Sequence, residues 1–372
     1  MLIGIVAAFA LLSRIVLTRC LKPLQTVAYW LAGLVAWSAL TWFWALQPKG
    51  TLEQLPAAFG LLTLYLAATC SQISDDELTW VNRLALVGGC AAAIYVCYSY
   101  SNNHFYGDFS RRASMMLNDD LEADPNYFAT SLLLPISIAF GGFLASGKLL
   151  AKLLMLAAVL TLGLTIFLTM SRGALIALVV MILVFFYRMR INWRALVLVA
   201  SLGGLIAFLP TDFFTRVEGA VATHGAGRLD IWVVGLHALE RYGLFGAGLS
   251  NFRVAYSDFA GYAPVYKGAA LASHNTYLNV SVELGIVGFT LFLGLIFSEI
   301  RAVRGALARA MRAQQVRVVT YEAAFWGLLT AALFLDITWH KDLWLVLILL
   351  GIAIRRPEGS DAPPGVASSP QS

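Results

Sequence analysis

The chain has 372 residues, 59% of them hydrophobic and 13% charged, with a mean hydropathy of +0.75. A water-soluble domain is nearer one half apolar and about one quarter charged, so this composition excludes a soluble globular protein. The net charge of +5 and pI near 9.0 would suggest nucleic acid in a soluble chain. In a membrane protein the cytoplasmic loops gather Lys and Arg, so no nucleic-acid partner is expected.

Measured against the ~20 residues that cross a bilayer core, the apolar runs predict about eleven spans. They fall near 2–17, 27–46, 55–72, 80–100, 126–145, 149–170, 173–187, 194–209, 275–298, 321–337 and 342–354. The expected fold class is an all-α polytopic membrane protein. Met1–Leu12 precedes its basic cluster instead of following one, which does not fit a secretory signal. Cys20, Cys70, Cys90 and Cys97 lie in or beside apolar stretches without CxxC or ligand spacing, so neither a disulfide framework nor a zinc site is expected.

Charge sets the orientation. With the N-terminus outside, sixteen of the 26 basic residues fall in inner loops, densest at 188–194 and 301–317. The outer loop 101–124 carries five acids against two arginines. A second outer loop covers 210–274, and within it Arg228–Tyr242 has apolar residues at Ile231, Val234, Leu236 and Leu239 beside Trp232, as in a helix lying at the membrane interface. Loops longer than about fifteen residues are usually functional, which places the chemistry on the outer side. The 301–317 segment reads as a basic amphipathic connector. The Pro/Ser/Gly-rich tail 355–372 reads as a disordered cytoplasmic segment after a membrane domain at 1–354. No internal repeat is visible, which argues against an inverted-repeat transporter.

Arg172, in TMSRGAL, occupies a hairpin or helix break at the outer interface. Its side chain either snorkels to lipid phosphate or grips an anion through its planar fork. Arg228 opens the interfacial helix after a Gly-rich turn, a position that favours an anion or an ordinary solvated arginine. Gly243 to Gly248 reads as a flexible turn more readily than as a phosphate cradle.

His274 stands at the outer end of a span, with Ser273 as the expected N-cap and Asn275 and Tyr277 in the first turn. It is either an interfacial histidine or a base able to take a proton from an incoming hydroxyl. Glu283 lies about 13 Å deeper, where a carboxyl must be paired or protonated; structural support is its expected role. Asp124-Pro125-Asn126 reads as a helix start with Asp as N-cap and Pro at N1. Arg111, Arg112 and Lys341 extend the positive outer surface. Asp119-Asp120 is an adjacent acidic pair, but GxSxG, HExxH and Asp-x-Asp are absent, so neither a hydrolase nor a metal site is expected.

These motifs resemble the O-antigen ligase and polymerase superfamily of bacterial membrane glycosyltransferases. The resemblance runs from Arg112 to Ala129 (RAS…DPNYFA), Met170 to Ala174 (MSRGA), Gly227 to Trp232 (GRLDIW), Gly246 to Phe252 (GxGxxNF) and His274 to Gly288 (HNTYL…ELGIVG). It implies transfer of a glycan from an undecaprenyl-diphosphate carrier to an acceptor hydroxyl, either a lipid A core or a growing glycan. The reaction would occur on the periplasmic face of the inner membrane, among membrane lipids and without metal or other cofactor. It further implies that Arg172 and Arg228 hold the diphosphate and that His274 is the base, with Arg112, Asn126, Asn275, Glu283 and Lys341 in support. The chain has about eleven expected spans where twelve is common in the family, and lacks the large C-terminal domain of the protein-glycosylating branch. A transporter of an amphipathic anionic lipid-linked saccharide and a non-catalytic assembly component are the competing expectations.

Overall fold

The computed structural model describes residues 2–19, 21–105, 112–118, 121–191, 227–265, 268 and 270–355. The expected span 194–209, Arg111, Asp119-Asp120 and the tail beyond Arg355 lie outside the described residues.

Helices α1 (Leu2–Thr18), α2 (Thr26–Leu40), α3 (Pro48–Cys70) and α4 (Asp75–Ser101) follow the first four expected spans. Ser74 and Glu77 start α4 with a reciprocal capping box: the Glu77 amide donates to Ser74 Oγ at 3.2 Å and the Ser74 amide to Glu77 Oε2 at 2.8 Å. The loop after α4 contains a two-stranded antiparallel hairpin, β1 (Met116–Asn118) with β2 (Leu121–Glu122), which the sequence did not announce. Helices α5 (Pro125–Ser131) and α6 (Leu133–Ala145) form one span. Helices α7 (Leu149–Leu168) and α8 (Arg172–Met189) follow it. Beyond the undescribed segment come α9 (Arg228–Tyr242), α10 (Phe252–Phe259), α11 (Thr276–Leu307), α12 (Arg312–Ala331) and α13 (Lys341–Ala353).

Among the described residues six helical segments are long and apolar enough to cross a membrane. They are Thr26–Phe43, Asp75–Ser101, Pro125–Ala145, Leu149–Leu168, Arg172–Met189 and Thr276–Leu307. The remaining expected spans in the described region are helical without meeting that length and apolarity.

Two expected boundaries are corrected. The 301–317 segment is mostly helix: Arg301 and Arg304 belong to the last turns of α11, and Arg312 and Arg317 to the first turns of α12. Long arginine side chains reach a polar surface from within a helix, so charge alone does not mark its end. The expected span 321–337 stops at Ala331. The next nine residues form a non-helical connection that Thr276 of α11 holds: its Oγ1 donates to the Leu335 carbonyl at 2.8 Å and accepts from the Ile337 amide at 2.9 Å.

Helix α12 packs among α6, α8 and α13, and α11 packs against α2. At one end of the bundle Arg188 pairs with the buried Glu322, tying α8 to α12, with Arg188 Nε 2.9 Å from Glu322 Oε2. At the other end, a separate apolar cluster including Ile231, Val234, Phe252, Tyr256 and Val282 fastens α9 and α10 to the start of α11. The α9 helix therefore buries Asp230, Ile231, Val234, Gly235 and Ala238 against protein. Leu236, one of the apolar residues of the expected interfacial helix, is exposed, and the buried stripe follows a 3.6-residue period through Val234 and Ala238.

Candidate functional site

Helix α11 is broken at Gly285, which has φ +65° and ψ −167°. A break inside an apolar span strands backbone groups that lipid cannot satisfy. Here four of them are met by protein. The Ala247 amide donates to the Val282 carbonyl at 2.8 Å, the Gly248 amide to Glu283 at 2.9 Å, and Trp37 Nε1 to Leu284 at 2.8 Å. The Ile286 amide donates to the Gly243 carbonyl at 2.8 Å.

The glycine segment read from sequence as a flexible turn is thus a fixed insert. A Cβ on Gly246 (φ +86°) would stand 2.1 Å from the Glu283 carbonyl oxygen, and one on Gly285 would stand 2.4 Å from that of Leu244. Only glycine admits both the positive φ and this approach. Asn251 is fully buried and accepts from the Gln47 amide at 2.6 Å, while its amide nitrogen donates to the Leu249 carbonyl at 2.8 Å. Glu283 is buried and accepts from the Ser250 and Phe252 amides at 2.9 and 3.0 Å, binding the insert to α11.

Four other elements converge beside this insert. Met170 takes a left-handed turn (φ +52°) between α7 and α8, so Arg172 begins α8 at the same end. Arg112 donates from Nε to the Thr169 carbonyl and from Nη2 to Asn126 Oδ1, each at 2.9 Å. Asp124 caps α5, accepting from the Asn126 amide at 2.7 Å. Gly227 (φ +79°) turns the chain into α9 at Arg228.

His274 itself has φ +47°, an uncommon backbone state for a non-glycine residue. The N-cap of α11 is Asn275, not Ser273: Asn275 Oδ1 accepts from the Leu278 amide at 3.1 Å, while Ser273 Oγ accepts from the Asn275 amide at 3.3 Å. The left-handed residue at 274 places the helix cap two residues later than the sequence suggested.

Arg172 and Arg228 are half-buried, and neither makes a hydrogen bond or ion pair among the described residues. Burial first, and then the neighbouring Arg172 charge, lower the Arg228 pKa; Asp124 acts in the opposite sense. His274 is also held below its usual value, by burial first and then by Arg228, with a smaller contribution from Arg253 and with Asp124 opposing. Its neutral form is favoured at neutral pH. Arg228 thus neighbours both Arg172 and His274, forming a cationic cluster with Asp124 beside it.

A cavity of about 360 Å³ adjoins this cluster through Tyr127. It is lined by Gln54, Tyr127, Ser250, Glu283, Asp336, Trp339 and His340. Tyr127 donates its hydroxyl proton to the Asp336 carbonyl at 3.0 Å, and His340 Nδ1 lies 3.1 Å from Asp342 Oδ2. Burial raises the Asp336 carboxyl above its usual range. Sequence reasoning took only Lys341 from this turn, and the structure places Lys341 exposed at the start of α13, outside the cavity lining. Gln54, Asp336, Trp339, His340 and Arg253 were missed. The run ITWHKD, polar and aromatic between two apolar stretches, was the available signal.

Residues 156–293 match the family model described as O-antigen ligase. Over this segment the chain is similar to the O-antigen ligase family. The match includes Arg172, Arg228, the glycine insert and His274. A solved chain from work on "Structural coordination of polymerization and crosslinking by a peptidoglycan synthase complex" shares the fold, with a TM-score of 0.50 at 16% identity, covering 88% of this chain and 95% of that one. No curated protein matches the sequence.

Proposed function

We propose that the protein transfers a glycan from an undecaprenyl-diphosphate carrier to an acceptor hydroxyl on the periplasmic face of the bacterial inner membrane, as an O-antigen ligase. The observation that carries this reading is the juxtaposition of Arg172 and Arg228, two half-buried guanidinium groups without a described acid partner. Like charges brought together in a partly desolvated site favour a polyanion between them, and a diphosphate offers the oxygens for two forks.

The acceptor oxygen attacks the anomeric carbon as its proton passes to neutral His274. The bond from that carbon to the carrier diphosphate breaks, and its electron pair leaves with the phosphate oxygen. Negative charge grows on that oxygen in the transition state, where Arg172 and Arg228 stabilise it. This assigns to fixed cations the role that a metal ion plays in other transferases. Arg112, held by Thr169 and Asn126, and Asn275, capping α11, keep the surrounding loops in register.

The adjoining cavity suits the acceptor saccharide. Carboxylates and an amide accept from sugar hydroxyls, and Trp339 and Tyr127 offer ring faces. A polymerase would use the same donor site with a growing glycan in that cavity. Purified protein with a defined carrier-linked donor and either acceptor tests the reading. New glycosidic product with release of undecaprenyl diphosphate is expected. Movement of unreacted donor across proteoliposomes without product would make the protein a transporter instead.

A further inference from the structure

At the end of the bundle opposite His274, a second cavity of about 370 Å³ lies among the C-terminal ends of α1, α3 and α13 and the starts of α4 and α12. Its wall combines two kinds of side chain. Arg14, Lys22, Arg317 and Arg355 line it with a single carboxylate, Asp75, and Ala68, Leu78 and Ile352 add apolar surface. Arg14 is paired with Glu77 and Arg317 with Asp75. Arg355 donates from Nη2 to the Pro23 carbonyl at 2.9 Å, but its Nε is buried and has no hydrogen-bond partner among the described residues. A buried charged donor without an acceptor is costly, and its presence in a cationic cavity points to an anion.

We propose that this cavity binds the phosphate headgroup of an anionic membrane phospholipid. The four cations lie at or near helix ends, the level at which headgroups meet a membrane protein, on the side that the charge bias assigns to the cytoplasm. A free phosphate would use the basic groups and leave the apolar ones without purpose. An amphipathic anion uses both. Beside Arg14 and Lys22, Val16, Leu17 and Leu21 of α1 and its following turn are 74%, 83% and 69% exposed, an apolar track for an acyl chain. The site is independent of the glycan chemistry at the other end.

The test uses the intact purified protein in detergent, with binding followed by native mass spectrometry and thermal stability. The probes are phosphatidylglycerol, phosphatidylcholine and inorganic phosphate. Phosphatidylglycerol should bind in preference to the other two. Arg355→Gln and Lys22→Gln should each weaken it by about fivefold, the effect typical of one basic residue near an anionic lipid surface. Arg301→Gln and Arg304→Gln, on exposed positions outside the cavity, should bind as the unaltered protein does. Arg355→Lys, which keeps the charge and loses Nε, should also weaken binding and serves if the glutamine variant does not fold. Equal loss in the control variants would mean diffuse attraction and overturn the site. Equal binding of phosphatidylcholine would overturn the charge argument, and equally tight binding of inorganic phosphate would overturn the lipid.

Discussion

Arginine is handled differently at the two ends of the bundle. At the basic end Arg14, Arg188 and Arg317 face Glu77, Glu322 and Asp75, and each pair joins two separate helices. At the other end Arg172 and Arg228 lie beside each other and make no ion pair among the described residues, with Asp124 acting on Arg228 from a distance. A paired arginine completes its electrostatics within the fold, and breaking the pair harms the fold to the extent that the pair is buried. An unpaired one is incomplete until something binds, so removing it should harm chemistry while sparing stability.

The sharpest break of this contrast is at the site end. Arg172→Ala or Arg228→Ala should lower transfer by roughly 2–5 kcal/mol of transition-state stabilisation, with little change in thermal stability, and Arg→Lys should lose part of that. Full turnover in both alanine variants would erase the distinction. At the basic end the prediction reverses. Glu322→Gln leaves Arg188 without its buried partner and should destabilise the fold by about 3–5 kcal/mol, seen as a lowered melting temperature at unchanged donor affinity.

His274 joins charge to acidity. Its pKa is depressed, so activity that needs the neutral ring should persist below the ordinary histidine value and fall only as pH drops through the lowered one. In Arg228→Gln a positive neighbour is gone, the His274 pKa should rise, and the acidic limb of the residual rate should move to higher pH. Asp124→Asn should move it the other way. Unmoved profiles in both variants would separate His274 from the cluster. The smallest effect belongs to Arg317→Ala: its partner Asp75 is 63% exposed, and such pairs contribute about 0–1 kcal/mol.

The membrane class, most spans and the range of α9 were legible because apolar runs and helical period depend on local composition. Arg172, Arg228, His274 and Glu283 were legible as charged groups in costly places. What the sequence hid depends on contacts between distant segments. Nothing local shows that Gly246 must lie against Glu283, or that Gly285 opens a span which reads as continuous. Asp336 was hidden within the expected span 321–337, which stops at Ala331, and His340 lay in the short turn after it. Ser273 looked like the cap because a left-handed residue at 274 is invisible in composition.

The interruption at Gly285 also bears on the order of assembly. Each group that satisfies it, Trp37, Gly243, Ala247 and Gly248, precedes it in the chain. During synthesis from the N-terminus, the receptor for the opened backbone has left the ribosome before the opening itself. The second half of α11 can therefore enter lipid with its exposed carbonyls already claimed. A circular permutation that moved residues 227–265 behind α11 would reverse that timing and leave bare backbone waiting in the bilayer.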